Sequence, residues 1–231
     1  MKTLGIVGGI GPESTIAYYR HIVAAYRART ADGSFPPVII NSIDMTRMLG
    51  MIGANQMTEV TKYLAGEVNR LARAGAEVGL LAANTPHIVF DEVRQRAHIP
   101  MISIVEAAAD FARGKGLTRL ALFGTRFTMQ GRFYPDAFAR RGIELRLPSG
   151  PDQDYIQDKY MHELVHGRYP DETRRGLLAI LDRLIDEQQV QGLILGGTEL
   201  PLILNGEDHR GVPFLDTTRI HAERAVKSML A

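Results

Sequence analysis

Short apolar runs alternate with longer amphipathic segments along this chain, and that rhythm restricts its fold more than any other feature. Residues 4–7, 38–43, 78–82, 101–104, 119–123, 143–147, 192–195 and 212–215 read as strands. Residues 14–29, 58–74, 128–141, 171–188 and 217–230 carry the helical period between them. A strand that feeds a helix and then a further strand makes a crossover, the connection that parallel sheets require. The expected class is therefore α/β, with helices on both faces of the sheets.

Local signals agree with this rhythm. Thr128 and Thr217 stand where helices 128–141 and 217–230 need N-caps, and Pro170 precedes the acidic first turn Asp171-Glu172. Gly75, Gly142 and Gly167 fall where helices should stop. A faint internal echo is also present. Leu80-Leu81-Ala82-Ala83-Asn84-Thr85 and Leu193-Ile194-Leu195-Gly196-Gly197-Thr198 repeat strand, small residue, polar residue and helix start, about half the chain apart. The echo predicts two pseudo-symmetric lobes, each a parallel sheet flanked by helices, with a ligand cleft between them. One lobe is expected at 1–104 and the other at 105–211, with 212–231 returning to the first.

Composition removes several classes of function. With 27 Lys and Arg against 26 Asp and Glu, the formal net charge of +1 provides no field for nucleic acid or an anionic membrane. No apolar stretch approaches the roughly 20 residues of a membrane span. The start of the chain lacks the pattern of an export signal, and the absence of cysteine excludes disulfides, so a cytoplasmic protein is expected. The 7 histidines are scattered without a carboxylate at metal-ligand spacing, and no metal site is expected. Ser14 and Ser103 lack the turn of a serine hydrolase.

The glycine-rich run Gly8-Gly9-Ile10-Gly11-Pro12-Glu13-Ser14 follows a strand and precedes a helix, yet it departs from a dinucleotide fingerprint. Counting from Gly9, the third small residue is Ser14, and Pro12 occupies the turn. A tight turn that brings backbone close to a small carboxylate accounts for the glycines with fewer assumptions.

Four ordered motifs carry a resemblance. They are Gly5-Ile6-Val7-Gly8-Gly9-Ile10-Gly11-Pro12-Glu13-Ser14-Thr15, Asn84-Thr85-Pro86-His87, Gly124-Thr125-Arg126-Phe127-Thr128-Met129 and Gly196-Gly197-Thr198-Glu199-Leu200. In order and spacing the chain resembles the aspartate/glutamate racemases, from Met1 to the segment Asp216–Glu223. The resemblance implies an isomerase site that needs no cofactor, commonly a homodimer, and a small amino acid or dicarboxylate as ligand. It also implies that Gly9, Ile10, Asn84, Thr85, Thr125 and Thr198 contact that ligand.

In such racemases two cysteines serve the substrate's α-carbon, one taking its proton and the other returning one. The matching positions here are Ala83 and Gly197, and the chain has no cysteine anywhere. A thiol titrates at about 8.5, near enough to neutrality to be tuned, whereas a methyl group or a glycine hydrogen exchanges nothing. Two-thiol racemisation is thereby excluded. Asp44, His87 and Glu199 are the candidate replacement acids and bases, with a capping role as the competing reading for His87 and Glu199. Lys159, beside Tyr155 and Tyr160, is a candidate cation for a distal carboxylate. A racemase homologue with an altered proton pair, a ligand-binding pseudoenzyme and a decarboxylase with a non-thiol acid all remain open at this point.

Overall fold

A computed structural model describes residues 1–231, and the chain divides into two compact units, Met1–Ile104 with Thr218–Ala231, and Val105–Thr217. The first unit opens with β1 (Leu4–Gly8), α1 (Pro12–Arg27) and β2 (Val38–Ser42). Helices α2 (Met45–Gly53) and α3 (Met57–Arg73) lead to β3 (Val78–Leu81), and a 3-10 turn (Thr85–Val89) runs into α4 (Phe90–Arg96) and β4 (Met101–Ile102). The strands lie in the order β2-β1-β3-β4, all parallel.

The second unit begins within α5 (Ile104–Gly114) and continues through β5 (Arg119–Gly124), α6 (Arg126–Gln130), α7 (Phe133–Ala139) and β6 (Glu144–Arg146). Next come α8 (Gly150–His162), α9 (Asp171–Gln188), β7 (Leu193–Gly196) and the short α10 (Leu200–Ile203). The chain then forms β8 (Asp208–His209), β9 (Val212–Asp216) and α11 (Thr217–Leu230). The sheet order is β6-β5-β7-β9-β8, parallel except for the β8–β9 pair. Reading β5, β6, β7 and β9 against β1 to β4 shows one strand plan used twice.

In both sheets the strand order reverses between the first and third strands, which is where α/β proteins bind ligands at the carboxyl ends. Two apolar clusters pack around the first sheet. One joins Val7 and Leu81 to α2 and α3, and the other joins Leu4, Ile6 and Leu80 to Tyr18, Ile22 and the helix residues Ala222, Val226 and Met229. The second sheet rests on α8 and α9 through Phe123, Leu193, Tyr160, Leu177 and Leu181.

The chain returns to the first unit later than residue 212, because β9 pairs with β7 and only the segment from Thr218 packs with the first unit. Residues 128–141 form two helices rather than one. Gly131 separates them, in a spot where a β-carbon would crowd the Phe127 carbonyl at 2.6 Å. The cap of α6 is Thr125, with Thr128 inside the helix, and the Thr217 hydroxyl donates to the Leu195 carbonyl at 2.8 Å. Gly75, Gly142 and Gly167 all adopt positive φ at helix ends, as expected. No helix is long and apolar enough to cross a membrane.

Candidate functional site

In the first unit, β3 delivers Ala83 and Asn84 to the carboxyl edge of the sheet, both buried, and the 3-10 turn starts at Thr85 because Pro86 suits the first positions of a helical turn. The Thr85 hydroxyl is half-buried and takes no hydrogen bond from the protein. His87 is buried, with Nδ1 2.9 Å from the Ala83 carbonyl and Nε2 3.2 Å from the Ile104 amide. A carbonyl only accepts and an amide only donates, so Nδ1 carries the proton and Nε2 the lone pair. Burial, then the neighbouring His221 ring, holds His87 well below the ordinary histidine range. With both nitrogens committed, it fixes the backbone of the junction.

Behind it a second histidine is tied in the same manner. His221 accepts from the Tyr18 hydroxyl at Nδ1 (2.7 Å) and donates from Nε2 to the Ile102 carbonyl (3.0 Å). Burial lowers it to about 4, and its ring lies 6.2 Å from that of His87. The Ser14 hydroxyl donates to the Ala82 carbonyl at 2.7 Å, tying α1 to the same junction.

Beside it, the glycine turn after β1 is required sterically. Gly9 has φ +77°, and a β-carbon there would overlap the backbone of Ile43. Its amide donates to Thr15 Oγ1 at 2.9 Å, and the Ile10 side chain is buried in the apolar cluster. Asp44 is exposed and caps α2, accepting from the Thr46 amide at 2.8 Å. Arg47 follows on the first turn of α2, its guanidinium 4.6 Å from the Tyr63 ring and without a carboxylate partner. Arg47 carries no signal in the sequence, standing as a lone cation in the largely apolar helix Met45–Gly53.

In the second unit, Thr125 follows β5 as the cap of α6, and its oxygen lies 3.2 Å from that of Thr128. The register sets Gly124 opposite Gly196, and a β-carbon on either glycine would crowd a carbonyl of the other strand at 2.8 Å. Gly197 comes next. A β-carbon on Gly197 would stand 2.5 Å from both Cε2 and Oη of Tyr160, so the tyrosine ring fills the space a side chain at 197 would take.

Tyr160 reaches that space from α8 and is 5% exposed. Its hydroxyl donates to Glu199 Oε2, which also accepts from Thr198 Oγ1 at 2.9 Å. Glu199 is 8% exposed, and its second oxygen takes no hydrogen bond from the protein. Burial and the adjacent carboxylate push the Tyr160 hydroxyl well above the ordinary tyrosine range. Lys159, the neighbouring residue on α8, is paired with Glu163 at 2.8 Å. The meeting of Tyr160 with Glu199 has no sequence signal beyond an aromatic residue in the last turn of a helix. No group of histidine, aspartate and glutamate side chains is arranged to hold a metal ion.

Known proteins resemble the chain over nearly its whole length. The Asp/Glu/Hydantoin racemase family pattern matches residues 7–225. A Yersinia pestis protein provisionally named an Asp/Glu racemase is 32% identical, with a TM-score of 0.92 over 100% of both chains. An aspartate racemase homologue from Pyrococcus horikoshii is 30% identical, with a TM-score of 0.86, again over 100% of both chains. The broad-specificity amino-acid racemase RacX of Bacillus subtilis is 23% identical over 99% of this chain and 98% of its own. The chain belongs to the Asp/Glu/Hydantoin racemase family, as a member that contains no cysteine.

Proposed function

We propose that this protein binds a small amino acid or dicarboxylate at the carboxyl ends of its central strands and does not racemise it by a thiol pair. The supporting observation is at residue 197, where the family resemblance calls for a thiol and the Tyr160 ring instead stands 2.5 Å from the position of a β-carbon. At residue 83 a methyl group stands in the same role. Neither can carry a proton at neutral pH.

The groups suited to a carboxylate remain. Thr85 offers an uncommitted hydroxyl, Asn84 lies beside it, and Thr125 and Thr198 stand at the matching strand ends of the second sheet. Backbone amides at strand ends that lead into helices suit an anion for the same dipolar reason. Arg47, free of a carboxylate, suits a second acidic group on the ligand.

Thermal melts with L- and D-aspartate and L- and D-glutamate test the reading. A ligand at a hundred times its dissociation constant adds about 2.7 kcal/mol and raises the melting temperature. Chiral chromatography of the same mixtures should find each enantiomer unchanged. Inversion would require a base other than a thiol and would overturn the expectation that configuration is kept, and no stabilisation by any of the four would overturn the ligand class.

A further inference from the structure

We propose that Tyr160 and Glu199 form a proton-transfer pair that replaces a thiol at the β7 junction and exchanges the α-hydrogen of the bound acid on one face. The proposal rests on the ligand reading above, and three observations on the pair itself add to it.

First, the Tyr160 hydroxyl lies inside the volume a side chain at 197 would claim, 2.5 Å from the ideal β-carbon position. A proton-bearing oxygen therefore occupies the place of the missing side chain. Second, that oxygen does not stand alone, because it donates to Glu199 Oε2 while Thr198 donates to the same atom and fixes the carboxylate. Third, Glu199 is more than nine-tenths buried and keeps one oxygen without a protein partner. That oxygen is not sealed from solvent, so it can meet a ligand or exchange a proton with water.

The step balances without a co-reactant. The α C–H bond breaks, its electron pair stays on the ligand and spreads into the ligand's carboxylate, and the proton joins Tyr160 Oη. The proton of Oη passes at the same time to Glu199 Oε2, so the tyrosine is neutral before and after while the carboxylate becomes a carboxylic acid. The hydrogen now on Tyr160 Oη is the ligand's own. It is this hydrogen that exchanges with water before the reverse step, which then returns a solvent hydrogen to the face from which the first one left. The chain has no cysteine to return a proton to the other face, so configuration is retained.

The experiment is incubation of the full chain in D₂O with each enantiomer of aspartate and of glutamate. Deuterium at the α-carbon is followed by NMR, configuration by chiral chromatography, and binding by thermal melts. The expected result is deuterium incorporation into at least one stabilising amino acid with its configuration unchanged. Tyr160→Phe and Glu199→Gln should each lower the exchange rate by about a hundredfold or more, the usual contribution of a positioned acid or base, while ligand stabilisation persists. Stabilisation without deuterium incorporation in the unmodified protein overturns the pair and leaves the binding reading standing. Exchange at the unmodified rate in Tyr160→Phe also overturns it, and a protein that no ligand stabilises loses both readings together.

Discussion

At Ala83 the chain turns out of its strand with the carbonyl held by the His87 ring, and space at the side chain is taken by a single methyl. At Gly197 an equivalent turn has no side chain, and a tyrosine from a distant helix fills the gap and brings a hydroxyl with it. The strand plan is the same in both sheets, so the difference lies in what packs against the junction. One junction is fixed by polar contacts to the backbone, and the other by a ring fitted against a glycine. A fold can thus keep a repeated backbone plan while giving its two copies unlike chemistry.

The comparison is most open to attack at Tyr160. Tyr160→Ala should cost about 3–5 kcal/mol in urea unfolding, the usual range for removing a buried aromatic ring. The same change at a ring that filled no essential space would cost far less. Combining it with Gly197→Cys should give a loss smaller than the sum of the two, since each change relieves the crowding or the void left by the other. Strict additivity would mean that the ring and the glycine are not coupled.

Acid should act on the first unit through its histidines. Both buried rings have folded values depressed below the ordinary 6.5, so the unfolded chain binds the protons more readily. Their effect is absent above pH 6.5, grows as pH falls, and for His221 is complete near its folded value of about 4. Each ring costs up to about 1.4 kcal/mol of stability per pH unit inside its window. Urea melts of the unmodified protein and of His221→Phe at pH 6.5 and pH 5 should differ in slope by about that amount. Equal slopes would show that His221 keeps its ordinary affinity for protons.

A direct contrast between the twin positions comes third. Gly197→Cys should destabilise by about 1–3 kcal/mol, because a rigid buried ring and the strands beside it must shift. Ala83→Cys already has a β-carbon in place and should cost less, within about 1.5 kcal/mol. Reversal of that order would break the account of the two junctions. The double replacement alone is not expected to restore two-thiol racemisation, since Tyr160 still occupies the space.

The smallest effect should be at Asp44. Asp44→Ala removes a cap from α2 and should cost about 1 kcal/mol in the same melts, leaving α-hydrogen exchange unchanged. A large loss of exchange would return Asp44 to the proton chemistry.

The strands, the main helices and the doubled plan were legible in the chain because their causes lie between neighbours. Apolar periodicity, a glycine after a helix and a proline at a turn act over a few residues, and the four ordered motifs place the chain in its family. The absence of cysteine excluded a thiol pair before any coordinate was known. Three-dimensional packing decided which side chain fills the space beside Gly197. Tyr160 meets Glu199 across 39 positions and His221 meets Tyr18 across 203, distances over which a linear pattern holds no record of contact. Sheet formation brings those residues together, and burial then fixes the tautomers of the two histidines and joins the phenol to the carboxylate.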